Sequence, residues 1–165
     1  KVEREKNMNY EIVEYNSIYC NEIISLIVRN LMDVNIKDYG IEKMREHASK
    51  FTPQTLEEYS KNSKMYVALE NGKVVGTLRV DKNNKGNEFD YVLLTIFVLP
   101  DCFNRGIGSA LVNAGENYVK TLGGKSISIP SSVDACKFYE KLGYYYVNDN
   151  NPDEDGVVLM KKDLI

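Results

Sequence analysis

The stretch that most constrains this chain is residues 89–111, FDYVLLTIFVLPDCFNRGIGSAL. Residues 89–99 are almost continuously apolar, which fits a strand covered on both faces near the middle of a sheet. Pro100 ends the run and a polar loop follows. Two glycines then open a helix over 106–122, with Ile107, Ala110, Leu111, Ala114, Tyr118 and Leu122 on one stripe and Gly123-Gly124 as its stop. Residues 125–129 read as a short strand. A full helix between two strands is the length a right-handed parallel crossover needs, so the chain contains a βαβ unit.

The rest of the chain attaches other elements to that unit. Residues 10–15 alternate as a first strand, and 17–32 carry Ile23, Ile24, Ile27 and Leu31 at helical spacing. A short helix is expected over 41–50, and Pro53 starts another where its missing N–H costs nothing. Strands at 65–70, 73–81 and 89–99 form an antiparallel meander through turns at Asn71-Gly72 and at 83–86. After the crossover, a helix spans 131–142 with Ser131 and Asp134 as capping pair and Gly143 as stop, and strands at 144–147 and 156–161 finish as a hairpin. The fold class is mixed α/β: an antiparallel N-terminal meander, one parallel βαβ crossover and a C-terminal hairpin.

Length and charge set the outer limits. At 165 residues, 43% hydrophobic and 27% charged, the chain has the makings of one globular domain. Residues 1–7 are read as an appended or disordered lead and 8–165 as the domain. Lys plus Arg number 21 against 24 Asp plus Glu, a net charge of −3 that supplies no basic footprint for nucleic acid or an anionic membrane. Cys20, Cys102 and Cys136 are too scattered for a disulfide framework or a zinc site. No apolar run approaches the roughly 20 residues of a membrane span. A cytoplasmic location is the expectation, with no metal.

The loop-to-helix junction carries the chemistry. The first N–H groups of a helix have no intrahelical acceptor, and together with the dipole they form an anion site. Gly106 and Gly108 lack the Cβ atoms that would hold a pyrophosphate away from the backbone. A nucleotide-binding P-loop would need Gly-Lys-Ser/Thr, whereas Gly108 is followed by Ser109-Ala110. A dinucleotide fold would want a third glycine at Leu111 and an early all-parallel sheet.

A second run, SVDACKFYEKLGY at 132–144, completes the pattern. Together the two runs resemble the GCN5-related N-acetyltransferase (GNAT) superfamily. Its Gln/Arg-x-x-Gly-x-Gly/Ala pattern corresponds to 103–108, and its Asn-x-x-Ala-x-x-Phe-Tyr-Glu-Lys-x-Gly-Phe pattern to 132–144. The resemblance implies acetyl-CoA as donor and a small-molecule or peptide amine as acceptor. It implies that the amides of Asn104, Arg105, Gly106, Ile107, Gly108 and Ser109 hold the pyrophosphate, with Arg105 and Lys137 assisting. The backbone of Ile96, Phe97 and Val98 would pair with the pantetheine arm, and Tyr139 would stand near the thioester sulfur. A tyrosine, with a pKa near 10, is a neutral donor able to protonate a thiolate whose conjugate acid lies near 8.5.

Three departures sharpen these expectations. Phe103 stands where the family carries Gln or Arg, Ser132 where it carries Asn, and Val92 where some members carry a glutamate base. Ser132 remains a candidate contact to the pantetheine through its hydroxyl. Asp90, two residues before Val92 and on the same strand face, is the candidate base. His47, the sole histidine, is read as an exposed helix residue. The cysteines lack a nearby base, so direct transfer is favoured over an acyl-cysteine. Residues 149–155 imitate a calcium loop but place Glu154 where its glycine belongs, so a solvated turn is expected. Asp33, Asn35, Asp38 and Tyr39 are candidates for a cationic acceptor. The chain is therefore expected to be an acetyl-CoA-dependent N-acyltransferase, monomeric or homodimeric; the alternative is a non-catalytic acyl-CoA-binding module of the same fold.

Overall fold

A computed structural model describes residues 9–83 and 90–164. The lead expected at 1–7 and most of the turn expected at 83–86 lie outside the described residues.

Among those residues, seven strands form one sheet in the order β1-β2-β3-β4-β5-β7-β6. The antiparallel meander runs through β1 (Tyr10–Glu14), β2 (Lys64–Glu70), β3 (Lys73–Lys82) and β4 (Tyr91–Val98). Asn71 and Gly72 join β2 to β3 with φ of 51° and 76°, the left-handed pair a type I′ turn requires. The parallel crossover follows: α5 (Ile107–Thr121) connects β4 to β5 (Ser126–Ser132). The closing hairpin is β6 (Tyr145–Tyr146) with β7 (Val157–Asp163), and β7 inserts between β5 and β6.

Helices cover both faces. Between β1 and β2 the chain forms α1 (Cys20–Asn30), a π-helical turn (Leu31–Asn35), α2 (Ile36–Tyr39), α3 (Ile41–Ser49) and α4 (Pro53–Asn62). Thr52 caps α4, its hydroxyl accepting from the Thr55 amide at 3.2 Å, with Pro53 in the first helical position as expected. These helices bury Ile23, Ile27, Leu31 and Leu56 against Met65, Val67 and Leu69. On the opposite face, α5 packs Ile107, Leu111, Val112 and Val119 onto Leu78, Val80 and Leu93. Gly115 lets α5 lie close to the sheet, since a Cβ there would stand 3.1 Å from both Leu78 and Leu93.

Four expectations are corrected. The buried stripe of α5 runs through Val112, Gly115, Glu116 and Val119, while Leu122 is exposed. A glycine and a charged residue on the buried face hid it from the apolar pattern. The second helix begins at Cys136 (α6, Cys136–Lys141), because Ser131 and Ser132 extend β5 against Val158 and Val157. The Ser131 hydroxyl therefore donates to the Ser132 carbonyl at 2.7 Å, and no side chain caps α6. The helix expected over 17–32 starts as a 3-10 turn (Ser17–Tyr19) under an Asn16 cap and runs on into the π turn. Finally, β4 is central in the sheet, yet only Leu93 of its residues is buried. The cause is its partner, which leaves early.

Candidate active site

The parallel β4–β5 ladder contains two pairs, Tyr91↔Ile127 and Val92↔Ser128. Beyond them β4 is bonded only to β3, and β5 only to β7. The sheet therefore opens into a cleft along the second half of β4. Pro130 sits on β5 past the last β4 pair, where the strand has become an edge that tolerates a residue without an N–H.

A bulge deepens the opening. Thr77 pairs with Phe97 and Arg79 with Leu94, which leaves Leu78 opposite both Thr95 and Ile96. Thr95 takes φ of 53°, a conformation that β-branched residues avoid. The backbone of Ile96, Phe97 and Val98 thus follows a bulge and borders the gap. Within 92–98 Thr95 is the one polar side chain, the sequence signal that would have marked the bulge.

At the end of β4 a 3-10 turn (Pro100–Cys102) leads to the start of α5. Asn104 and Gly106 have φ of 62° and 83°, so the chain folds back before the helix. The first intrahelical bond runs from the Ala110 amide to the Gly106 carbonyl at 3.0 Å, and no side chain caps the helix. The amides of Ile107, Gly108 and Ser109 are consequently left without helical acceptors. Side chains here are committed elsewhere. Ile107 is buried in the core, and the Tyr10 hydroxyl donates to the Gly106 carbonyl at 3.2 Å. Arg105 Nη2 stands 2.5 Å from Glu70 Oε2, an ion-pair approach without hydrogen-bond alignment. The Glu70 carboxylate raises the Arg105 pKa further, and a guanidinium held this way has less freedom to follow an anion than the sequence suggested.

Gly108 also answers to a packing demand that the sequence did not show. A Cβ on it would lie 3.0 Å from Phe138 Cζ, so its missing side chain makes room for the α6 ring. That contact brings the two sequence motifs together. One residue on, Tyr139 is 6% exposed and packs edge-on against Phe138 and Tyr144, with centroids 5.1 and 6.1 Å away. Burial, and then the nearby Cys136 thiol, push the Tyr139 phenol well above its ordinary pKa. It is a neutral O–H across the physiological range. Lys137 is exposed on α6, and the Ser132 carbonyl accepts from Ser131 Oγ and Cys136 Sγ.

A buried network anchors this segment, and the sequence reading missed it. Glu116, on the inner face of α5, accepts from the Tyr144 hydroxyl at 2.9 Å and from Lys162 Nζ at 3.0 and 3.2 Å. Lys162 also donates to the Leu142 carbonyl at the end of α6, at 2.8 Å. The signal was a charged residue inside an otherwise apolar stripe.

Other candidates separate from the cleft. Asp90 precedes β4, and its carboxylate accepts from the Lys125 amide at 2.7 Å, closing the start of the β4–β5 pair. Five residues, six strand steps of roughly 20 Å in all, separate it from Ile96. The Asp90 carboxylate, expected as a base, serves here as a cap on the start of the β4–β5 pair. His47 is exposed on α3, stacked on Phe51 at 5.5 Å, and partial burial with Lys50 and Lys43 nearby lowers its pKa. Asp33 bonds Arg29, which also takes both oxygens of Asp101 at 3.0 Å. Asn35 is half-buried in the π turn. The Tyr39 hydroxyl donates to the Gly156 carbonyl at 3.1 Å, and the hydrogen bond that a protonated Asp38 makes to Asp134 raises the Asp38 pKa. So α2 leans over to the β6–β7 loop. In that loop Asp153 Oδ1 accepts from the amides of Asp155 and Val157, forming a turn on itself. Among the described residues no three His, Cys, Asp or Glu side chains converge as metal ligands, and no helix is long and apolar enough to cross a membrane.

Comparison with known proteins agrees with this geometry. The model of the acetyltransferase (GNAT) family matches residues 28–144. An uncharacterized N-acetyltransferase of Methanocaldococcus jannaschii is 35% identical over 85 residues, covering 48% of this chain and 38% of that relative's length. The fold is similar to that of the PaiA N-acetyltransferase of Thermoplasma acidophilum, solved in complex with coenzyme A, with TM-score 0.80 and 16% identity over 93% of this chain and 98% of that one. It is also similar to a GNAT-family acetyltransferase of Staphylococcus aureus, with TM-score 0.74 and 20% identity over 94% and 99% of the two chains. From the uncapped start of α5, the opened edge of β4 and the family match across the segment that contains both, we conclude that this chain belongs to the GNAT family of acetyltransferases.

Proposed function

We propose that the protein transfers an acetyl group from acetyl-CoA to an amine by direct attack in a ternary complex. One observation supports the reading most: the Phe138 ring is seated on Gly108, so α6, which carries Tyr139 one residue on, packs against the uncapped start of α5. The residues suit the donor. Free amides at Ile107, Gly108 and Ser109 would donate to the pyrophosphate oxygens, and the bulged edge at Ile96, Phe97 and Val98 would pair with the pantetheine as an added strand. Asn104 and Gly106 supply the fold-back that aims those amides, while Arg105, Lys137 and Ser132 stand beside the path as secondary contacts.

In the proposed reaction the neutral amine attacks the thioester carbonyl carbon. A main-chain amide at the bulge end of β4 stabilises the oxyanion, the C–S bond breaks, and the Tyr139 O–H gives its proton to the departing thiolate. The phenolate recovers a proton from the amine, through water, as the amide product forms. Burial raises the cost of a lasting phenolate, so the phenol returns to its neutral form between turnovers.

Two measurements test this. Acetyl-CoA should raise the melting temperature by mass action, and thiol release should appear on a panel of polyamines, aminoglycosides, amino acids and peptides with free N-termini. A thermal shift without turnover on any amine would favour an acyl-CoA-binding module. No thermal shift would overturn both readings.

A further inference from the structure

Arg79 lies on β3 opposite Leu94, beside the bulge, with its side chain 12% exposed. Three contacts hold its guanidinium. Its carbon lies 3.8 Å from the centroid of the Tyr59 ring on α4, Nη1 donates to Asp81 Oδ2 at 3.1 Å, and Nε donates to Thr95 Oγ1 at 3.3 Å. A planar cation stacked on a ring and anchored by a carboxylate has little freedom left, so its Nε–H is aimed rigidly. The atom it meets belongs to the residue whose backbone is in the left-handed region.

We propose that Arg79 is a positioning residue for catalysis: clamped by Tyr59 and Asp81, it holds Thr95 in its left-handed conformation and so sets the direction of the β4 main-chain amides at the cleft. A β-branched residue returns to extended φ unless its surroundings prevent it. Here the β3 ladder does not, because the bulge interrupts pairing between Thr77 and Arg79. Nor does β5, whose pairing with β4 ends at Val92↔Ser128. The bond from Arg79 Nε to Thr95 Oγ1 supplies a side-chain restraint at this break in the ladder. Released, the Thr95 peptide would turn and carry the following N–H groups away from the thioester oxygen. The inference rests on the acetyl-transfer reading for its catalytic consequence and on geometry alone for the clamp.

The test is a double-mutant cycle with acetyl-CoA and whichever panel amine the wild-type protein turns over fastest. Arg79→Met, which keeps the stem on the Tyr59 ring, is expected to lower kcat about tenfold with KM for both substrates within about twofold. In a Thr95→Gly background, where glycine needs no restraint to keep positive φ, the same substitution is expected to cost less than about twofold. Arg79→Lys keeps the charge for Asp81 but has no sideways donor, so it should lose activity as Arg79→Met does; recovery with Lys would mean that the ion pair alone matters. Equal losses in the two backgrounds, or a loss carried by KM, would overturn the proposal. Thermal unfolding supplies an arm that needs no activity: Thr95→Gly should be more stable than Thr95→Ala, the reverse of the order in a regular strand. The ordinary order would sink the clamp even if the enzyme is active. A wild-type protein without turnover would count against acetyl transfer, and the Thr95 series would still decide the clamp.

Discussion

The two segments that bear the motifs, residues 104–109 and 132–139, prepare the site in opposite ways. The first offers backbone: three amides left over by the start of α5, while Arg105 is tied to Glu70 and Ile107 is buried. The second offers a side chain. Its Tyr139 amide is bonded to the Ala135 carbonyl at 3.2 Å, and its contribution is one buried phenol. A site built from amides survives changes of side chain, provided the fold-back and the close approach at Gly108 are kept. A site built from one hydroxyl does not. On the proposed function, that contrast would let the chain carry Phe103 where the family pattern has Gln or Arg, with Tyr139 inside a packed cluster.

Substitutions that set one segment against the other follow in order of expected size. Tyr139→Phe should lower thiol release by about 10²- to 10⁴-fold while the acetyl-CoA thermal shift persists. A loss of the shift instead would mean that the phenol serves binding. Glu116→Ala leaves Lys162 and the Tyr144 hydroxyl without their shared partner, and should cost about 3–5 kcal/mol in denaturant unfolding. It undermines the side-chain segment from below, so the amide segment should still bind acetyl-CoA in the folded fraction.

Gly108→Ala places a methyl 3.0 Å from Phe138 Cζ and should cost about 1–3 kcal/mol and weaken the thermal shift. Adding Phe138→Leu should return part of the shift, because the clash and not the lost flexibility is the cause. Phe103→Gln, which restores the residue type relatives carry, should change the acetyl-CoA KM by less than about threefold, as befits an exposed side chain. A larger improvement would show that the backbone segment depends on side chains after all.

The smallest effect is one of pH. His47 has a lowered folded pKa, so below its unfolded value, near 6.5, the unfolded chain takes up the proton first. Its contribution to stability is complete above that value and is lost as pH falls through it toward the folded one. His47→Gln should flatten the acid limb of a plot of unfolding midpoint against pH; an unchanged limb would assign it to other groups.

Much of this was legible in local chemistry. Asn71-Gly72, Thr52-Pro53 and the two glycines at 106 and 108 dictate their turns and helix starts through backbone preferences that act over a few residues. What escaped was competition between distant partners. Ser131 and Ser132 look like the start of a helix, and they join β5 because Val157 and Val158 of a strand some 26 residues later offer them a ladder. Glu116 looks like a surface residue at the edge of a stripe, and it is buried because Lys162 and Tyr144 arrive to satisfy it.

The sequence alone, then, determined a mixed α/β domain with a βαβ crossover and a glycine-flanked helix start, since apolar periodicity, proline and glycine act locally. Tertiary structure decided where the site opens and what faces it. The β4–β5 ladder stops after two pairs, the bulge turns Thr95 toward Arg79, and Gly108 serves the ring of Phe138. Each of these is a contact between residues far apart in the chain, settled by which of several locally acceptable conformations leaves the fewest buried groups unpaired.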